Sequence, residues 1–344
     1  MSVRLAAVST ALLTLPGFVN AHSHAFQRGM RGRAEGDDFW GWREAMLDMA
    51  RSLAPGQVRK GYEATYAEMR AAGYTAVGEF HYVGFEEAKA AAEAARAAQV
   101  ELVLLYAAYA RGGLDRFRQD SVTRYLRQVE DLGATGIRIG LAPHSVRACP
   151  EDWLRKIGAY AEREGLLLHV HADEQPREIE ECVAEYGVRP IELLARAGCL
   201  GPRTTVIHAT HADDGELDLL AAARTRVCVC PTTEANLGDG FIPVERFRER
   251  GIALCIGSDS NVRIDPLEEL RELEGTARRQ SLSRNVIPPA ELIQVGSANG
   301  AEALGLGEWP DAVADTSHRS LAGVPKEELE AALVFGCSAE VFAP

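Results

Sequence analysis

Short apolar, β-branched runs recur along this chain, and amphipathic segments fill the gaps between them. Residues 12–20, 76–82, 100–107, 136–142, 166–171, 204–208, 226–230 and 252–257 are near-continuously hydrophobic, as strands covered on both faces should be. Between most of them apolar residues return at helical spacing, in 57–72, 86–99, 122–132, 151–163, 177–186, 215–223 and 266–279. Helix stops at Gly73, Gly133 and Gly165 precede the next strand. Eight strands in strict alternation with helices predict a closed parallel (β/α)8 barrel over residues 1–306. Residues 307–344 are left as a short tail with one helical piece at 326–333. An open doubly wound sheet is the competing architecture. It would place a Gly-rich phosphate turn after the first strand, where this chain has His22-Ser23-His24.

The polar residues that interrupt this pattern cluster at the C-terminal ends of the predicted strands, where a barrel carries its chemistry. The first strand ends in His22 and His24, which share one strand face and can grip one metal. The second ends in Glu79-Phe80-His81-Tyr82, and the fourth in His144-Ser145-Val146-Arg147. The fifth supplies His169, His171 and Glu174, the sixth His208 and His211, and the eighth Ser258-Asp259. These groups suit metal-assisted hydrolysis. His22, His24, a fifth-strand histidine and Asp259 make a shell of three nitrogens and a carboxylate, and a divalent ion so held brings water toward a pKa of about 7. Glu174, three residues past His171, can shuttle a proton to a leaving nitrogen. His208 can polarise the group under attack, and Asp259 can take the water's first proton.

Single positions divide further. His169 and His171 both face inward, and the spacing to Glu174 favours His171 as the ligand, with His169 a core residue. His81 points to the face opposite Tyr82, and His211 either supports the residues that carry the chemistry or is structural. Glu234, Asn236 and Asp239 form a polar turn that either shapes the pocket floor or uses Asn and Gly for its geometry. His318 lies in the tail, away from the chemistry. Residues 37–46, aromatic and charged, fall within a long connection after the first strand. They form either a lid or a helix packed on the barrel.

Charge narrows the ligand. A net charge of −13 over 344 residues argues against nucleic acid and anionic membranes as partners. An anionic ligand must be held by a few placed arginines. The seven cysteines include no Cys-x-x-Cys pair and read as free thiols of a reducing cytosol, with Cys228 and Cys230 buried in a strand. The apolar run at residues 5–15 reads as an opening strand rather than a signal segment, because cleavage near Ala21 would leave His22 at a raw N-terminus. No run is long enough to span a bilayer.

Taken together, His22-x-His24, the fifth-strand histidine with Glu174, His208 and Asp259 resemble the mononuclear deaminase branch of the amidohydrolase superfamily. Binuclear members take a carboxylated lysine from the fourth strand. Here the only lysines are Lys60, Lys89, Lys156 and Lys326, and none lies at a strand end. Within that branch, residues 16–305 are similar to the formimidoylglutamate deiminases. The matching stretches include His22-Ser-His-Ala-Phe-Gln-Arg28, Phe39-Trp-Gly-Trp-Arg43, Ala142-Pro-His-Ser-Val-Arg147 and Thr233-Glu-Ala-Asn-Leu-Gly-Asp-Gly240.

The resemblance implies one divalent ion, Zn2+, on His22, His24, His171 and Asp259, with Glu174 and His208 as the catalytic pair. Gln27, Arg43, Tyr82, His144 and Arg147 would contact the glutamate portion of a small anionic substrate. The implied reaction converts N-formimino-L-glutamate to N-formyl-L-glutamate and ammonia in cytoplasmic histidine degradation. Two arginines able to fork onto carboxylates suit that dianion. Another small anionic amidine or guanidine, or a nucleobase, is the alternative substrate; an inactive barrel used as a binding module is the alternative role. Relatives also carry a small flanking β-sandwich built from both chain ends. The short ends here imply that it is reduced or absent, and the resemblance leaves room for a homodimer.

Overall fold

The computed structural model describes residues 12–342. Its strands in chain order are β1 (Leu12–Pro16), β2 (Phe18–Ser23), β3 (Tyr74–His81), β4 (Glu101–Ala108), β5 (Ile139–Pro143), β6 (Leu168–Ala172), β7 (Thr204–His208), β8 (Arg226–Val229), β9 (Leu254–Ile256) and β10 (Asp311–Asp315). Strands β2 to β9 form one parallel sheet in sequential order. The ends of that sheet meet through the backbone. Asp259 N–H donates to His22 O at 3.0 Å, and His24 N–H donates to Asp259 O at 2.8 Å. The eight strands thus form the expected (β/α)8 barrel, nearly closed. The seam requires Gly257, where a Cβ would lie 2.7 Å from His22 O and 2.8 Å from His22 Cβ.

The first predicted strand, residues 12–20, is in fact two strands. β1 pairs antiparallel with β10 in a separate two-stranded sheet, and β2 enters the barrel. The break falls at Gly17, where a Cβ would sit 2.0 Å from Thr75 Oγ1 and 2.2 Å from Pro310 O. Among the described residues, this ribbon is what the chain has of a flanking sheet. Of the apolar run at 5–15, residues 5–11 lie outside the described part. Helix Leu329–Gly336 packs on helices Pro266–Ser281 and Pro289–Gly296. No helix among the described residues is long and apolar enough to cross a membrane.

The long connection after β2 is helical. A 3-10 turn, Ala25–Met30, leads to helices Phe39–Ser52 and Pro55–Ala71. Asp38 starts the first of these as N-cap, its side chain accepting from Gly41 N–H at 2.8 Å. Residues 37–46 therefore belong largely to a helix, and its inner face is a wall of the cavity described below. All seven cysteines are free and buried. Cys228, Cys230 and Cys255 pack with Ala21, Ile207 and Ala303 in a small cluster of their own.

Candidate active site

Barrel closure brings four predicted metal ligands together. His22 and His24 come from the end of β2, His171 from β6, and Asp259 from the turn after β9. His22 Nε2 lies 3.1 Å from Asp259 Oδ1 and 3.1 Å from His171 Nε2. His24 Nε2 lies 3.3 Å from Asp259 Oδ1 and 3.4 Å from His171 Nε2. A tetrahedral ion with ligands at ~2.0–2.1 Å needs donor–donor edges of roughly 3.3 Å, so this donor set fits a divalent metal.

The surrounding bonds aim the rings. His24 Nδ1–H donates to Phe80 O at 3.0 Å and His171 Nδ1–H to His144 O at 2.8 Å, which turns both Nε2 lone pairs inward. Among the described residues His22 Nδ1 has no hydrogen-bond partner, and that ring packs edge-on against Phe80. Burial is the largest influence on all three imidazoles and holds their pKa values below the usual range, which keeps them neutral. Ser23 Oγ–H and Ala25 N–H donate to Glu79, whose buried carboxyl is pushed up to about 8, and so fix the segment that carries the paired histidines.

Glu174 and His208 stand beside this set. Glu174 Oε1 is 3.6 Å from His208 Nε2. His208 Nδ1–H donates to Glu234 Oε1 at 3.0 Å, and the same oxygen accepts from Cys230 N–H at 2.9 Å. Burial disfavours charge on His208, but Glu174, Glu234 and Asp259 outweigh it and lift its pKa to about 10. His208 and Asp259 both have left-handed backbone, at φ 73° and 43°, conformations that non-glycine residues adopt at a cost.

The polar turn expected at 234–239 is mostly helix Pro231–Leu237. Its proline occupies the first turn and Gly238 ends it in left-handed conformation, so a glycine expected to shape a turn is a helix cap, and Asn236 lies within the helix. Glu234 and Asp239 are buried on it and just after it, whereas Asn236 is exposed and donates to Glu35. His211 Nε2–H donates to Asp239 O at 2.6 Å, a structural contact. His169 lies deeper, with Nε2–H on Ala303 O at 3.0 Å. His81 bonds Tyr62 and Gly84 on the barrel's outer face, away from the donor set.

Above the donor set opens a cavity of about 440 Å³. His24, His171, Glu174 and Asp259 line it together with Gln27, Arg43, Tyr82, His144 and Arg147, so every predicted substrate contact faces one space. Gln27 Nε2–H donates to Tyr82 OH at 2.8 Å. Arg43 ion-pairs with Glu44 at 3.0 Å and is 29% exposed. Arg147 is more enclosed, at 18%, and lies between Glu174 (3.2 Å) and Glu178 (3.3 Å). Burial disfavours its charge, but Glu178 and then Glu174 restore it and raise its pKa. The Trp40 ring faces Arg177 at 4.4 Å and Arg147 at 5.8 Å. Sequence reasoning missed Glu178 and the pairing of Glu234 with His208. The one available signal for Glu178 was its position four residues after Glu174.

Comparison with known proteins places this geometry. Residues 13–308 match the model of the Amidohydrolase family. The chain is 37% identical over 327 residues to a formimidoylglutamate deiminase of Pseudomonas aeruginosa, covering 85% of this chain and 72% of that protein. It is 31% identical over 299 residues to a 5-methylthioadenosine/S-adenosylhomocysteine deaminase of Halobacterium salinarum, covering 85% and 69%. An adenosine deaminase from Xanthomonas campestris, solved with bound zinc, superposes with a TM-score of 0.86 over 97% of this chain and 78% of its own; at 23% identity, that likeness speaks to fold. A barrel with a His3Asp donor set at its strand ends, matched along residues 13–308, makes this chain a member of the amidohydrolase family.

Proposed function

We propose that the chain hydrolyses N-formimino-L-glutamate to N-formyl-L-glutamate and ammonia. The observation that carries this reading is the shared cavity. Arg147 and Arg43, with Gln27, Tyr82 and His144, line the same space as the donor set and Glu174. Two guanidinium groups suit the two carboxylates of the glutamate end, in a chain whose net charge of −13 would otherwise repel them. The identity to a formimidoylglutamate deiminase supports the same choice.

One divalent ion, Zn2+ by the chemistry of the donors, would be held by His22, His24, His171 and Asp259, and would acidify water and polarise the formimino group. The chain's own side chains manage the protons. Glu174 takes a proton from the attacking water and delivers it to the terminal formimino nitrogen. His208, fixed by Glu234, donates a hydrogen bond to the oxygen as it joins carbon, and Asp259 takes the water's first proton and passes it on to the departing nitrogen. A C–O bond forms, the bond to the terminal nitrogen breaks, and ammonia departs with the protons the water supplied. The helix Phe39–Ser52 forms one wall of the cavity.

A second reading rests on the aromatic wall. Trp40, Trp42, Tyr82 and Tyr109 line the cavity and offer stacking surface to a purine, the class named in the Halobacterium salinarum relative. Ammonia release by zinc-loaded protein separates the two. N-formimino-L-glutamate, an N-guanidino dicarboxylate, 5-methylthioadenosine and adenosine would be compared side by side. The proposal expects release from the formimino compound at least a hundredfold faster than from either nucleoside. The reverse order would overturn it.

A further inference from the structure

Glu178 is fully buried, near the start of helix Pro176–Tyr186, and no step described so far uses it. Its two oxygens face two working residues. Oε2 accepts from the backbone N–H of Glu174 at 3.2 Å, and Oε1 lies 3.3 Å from Arg147 Nε. Arg147 meanwhile also reaches Glu174 Oε2 with Nη2 at 3.2 Å. One guanidinium is thus shared between the carboxylate that carries protons and a carboxylate buried behind it. Only Oε2 of Glu174 holds Arg147, while Oε1 faces His208 at 3.6 Å, so a substrate carboxylate that reaches Arg147 competes with Glu174 Oε2 for the Nη2 edge and leaves Oε1 to serve the water.

We propose that Glu178 is the positioning residue for this exchange. It keeps Arg147 facing the cavity when Glu174 lets go, and it anchors the backbone of Glu174 through the same carboxylate. Substrate binding and proton transfer are thereby referenced to one fixed charge. This rests on the reading that Arg147 receives a substrate carboxylate.

The test is a double-mutant cycle on the zinc-loaded full chain, with glutarate as an inert dicarboxylate probe and binding followed by calorimetry. Wild type, Glu178→Gln, Arg147→Met and the double variant would be compared. Glu178→Gln should weaken glutarate by about tenfold in the wild-type background and by less than about twofold in the Arg147→Met background. With N-formimino-L-glutamate, KM should rise with Glu178→Gln and not with the double variant relative to Arg147→Met. Equal losses in both backgrounds would mean that Glu178 merely supports the fold, and would overturn the inference while leaving the substrate reading intact. Failure of the wild-type protein to bind glutarate would overturn the substrate reading and this inference with it. Should Glu178→Gln not fold, Glu178→Asp keeps the charge with a shorter reach. A several-fold loss that vanishes in the Arg147→Met background would then support the same exchange, and an equal loss in both backgrounds would overturn it.

Discussion

Glu234 Oε1 lies 3.0 Å from His208 Nδ1, and that bond decides which nitrogen of the imidazole looks toward Glu174. Among the described residues His208 has no other hydrogen-bonded anchor, since its Nε2 makes no hydrogen bond there. Orientation therefore rests on one buried carboxylate. Glu234→Gln should lower kcat by about tenfold to a hundredfold with little change in KM, because the ring loses its aim and its stabilised charge while the cavity keeps its arginines. Steady-state kinetics on protein of verified metal content checks this; a rise in KM alone would place Glu234 in substrate binding.

Glu174 lines the cavity without joining the converging donor atoms. Glu174→Gln should abolish turnover and leave one metal per chain. Elemental analysis beside the ammonia assay reads both quantities, and loss of the metal would make Glu174 a ligand.

Arg147→Met should raise KM for a dicarboxylate substrate by the equivalent of about 2–4 kcal/mol. It should also reduce stability, because Glu178 would be left buried without its cation. Adding Glu178→Gln should recover part of that stability without recovering KM. Thermal unfolding of the two variants, set against their kinetics, separates the effects.

His81 donates from Nε2 to Gly84 O (2.6 Å), and its Nδ1 lies 2.5 Å from Tyr62 OH, which donates to it while the ring is neutral. Burial holds its folded pKa at about 4, against an ordinary 6.5. Between these values the unfolded chain binds more protons than the folded one. The contribution of His81 is present in full above pH 6.5 and is lost as pH falls through about 4, by up to about 3 kcal/mol. Denaturant unfolding of wild type and His81→Gln from about pH 7 to about pH 4 should show a shallower decline in the variant. Parallel curves would remove His81 from the titration.

Gly257→Ala should strike fold and site together, since the added methyl meets the backbone of His22 at the barrel seam. The expected result is a lower melting temperature and weaker metal retention by the purified variant. A neutral outcome would show that the seam can shift without disturbing the paired histidines.

The barrel and the donor set were legible for one reason: in this architecture strand order fixes space, so polar residues at successive strand ends must share a face. His22, His24, His171, Glu174, His208 and Asp259 all lie on strand ends or within three residues past them. Glu234 and Glu178 were not legible, because their meaning depends on how a short helix docks after its strand. Glu234 meets His208 across 26 positions. Asn236 and Gly238 read as turn residues until the helix Pro231–Leu237 is seen. The break at Gly17 was hidden too, since the apolar pattern runs through it and only the contacts with Thr75 and Pro310 reveal why a side chain fails there.

The helix Phe39–Ser52 has a consequence for how such a protein diversifies. It brings Trp40, Trp42 and Arg43 to the cavity on one uninterrupted stretch of chain, bracketed by the 3-10 turn after β2 and the next helix. The donor set, by contrast, is scattered over β2, β6 and the turn after β9, and is pinned by the closure of the barrel. On the proposed reading, appetite for a particular molecule is partly portable, able to change by exchange of a single cassette, while the groups that would run the reaction are welded into the scaffold.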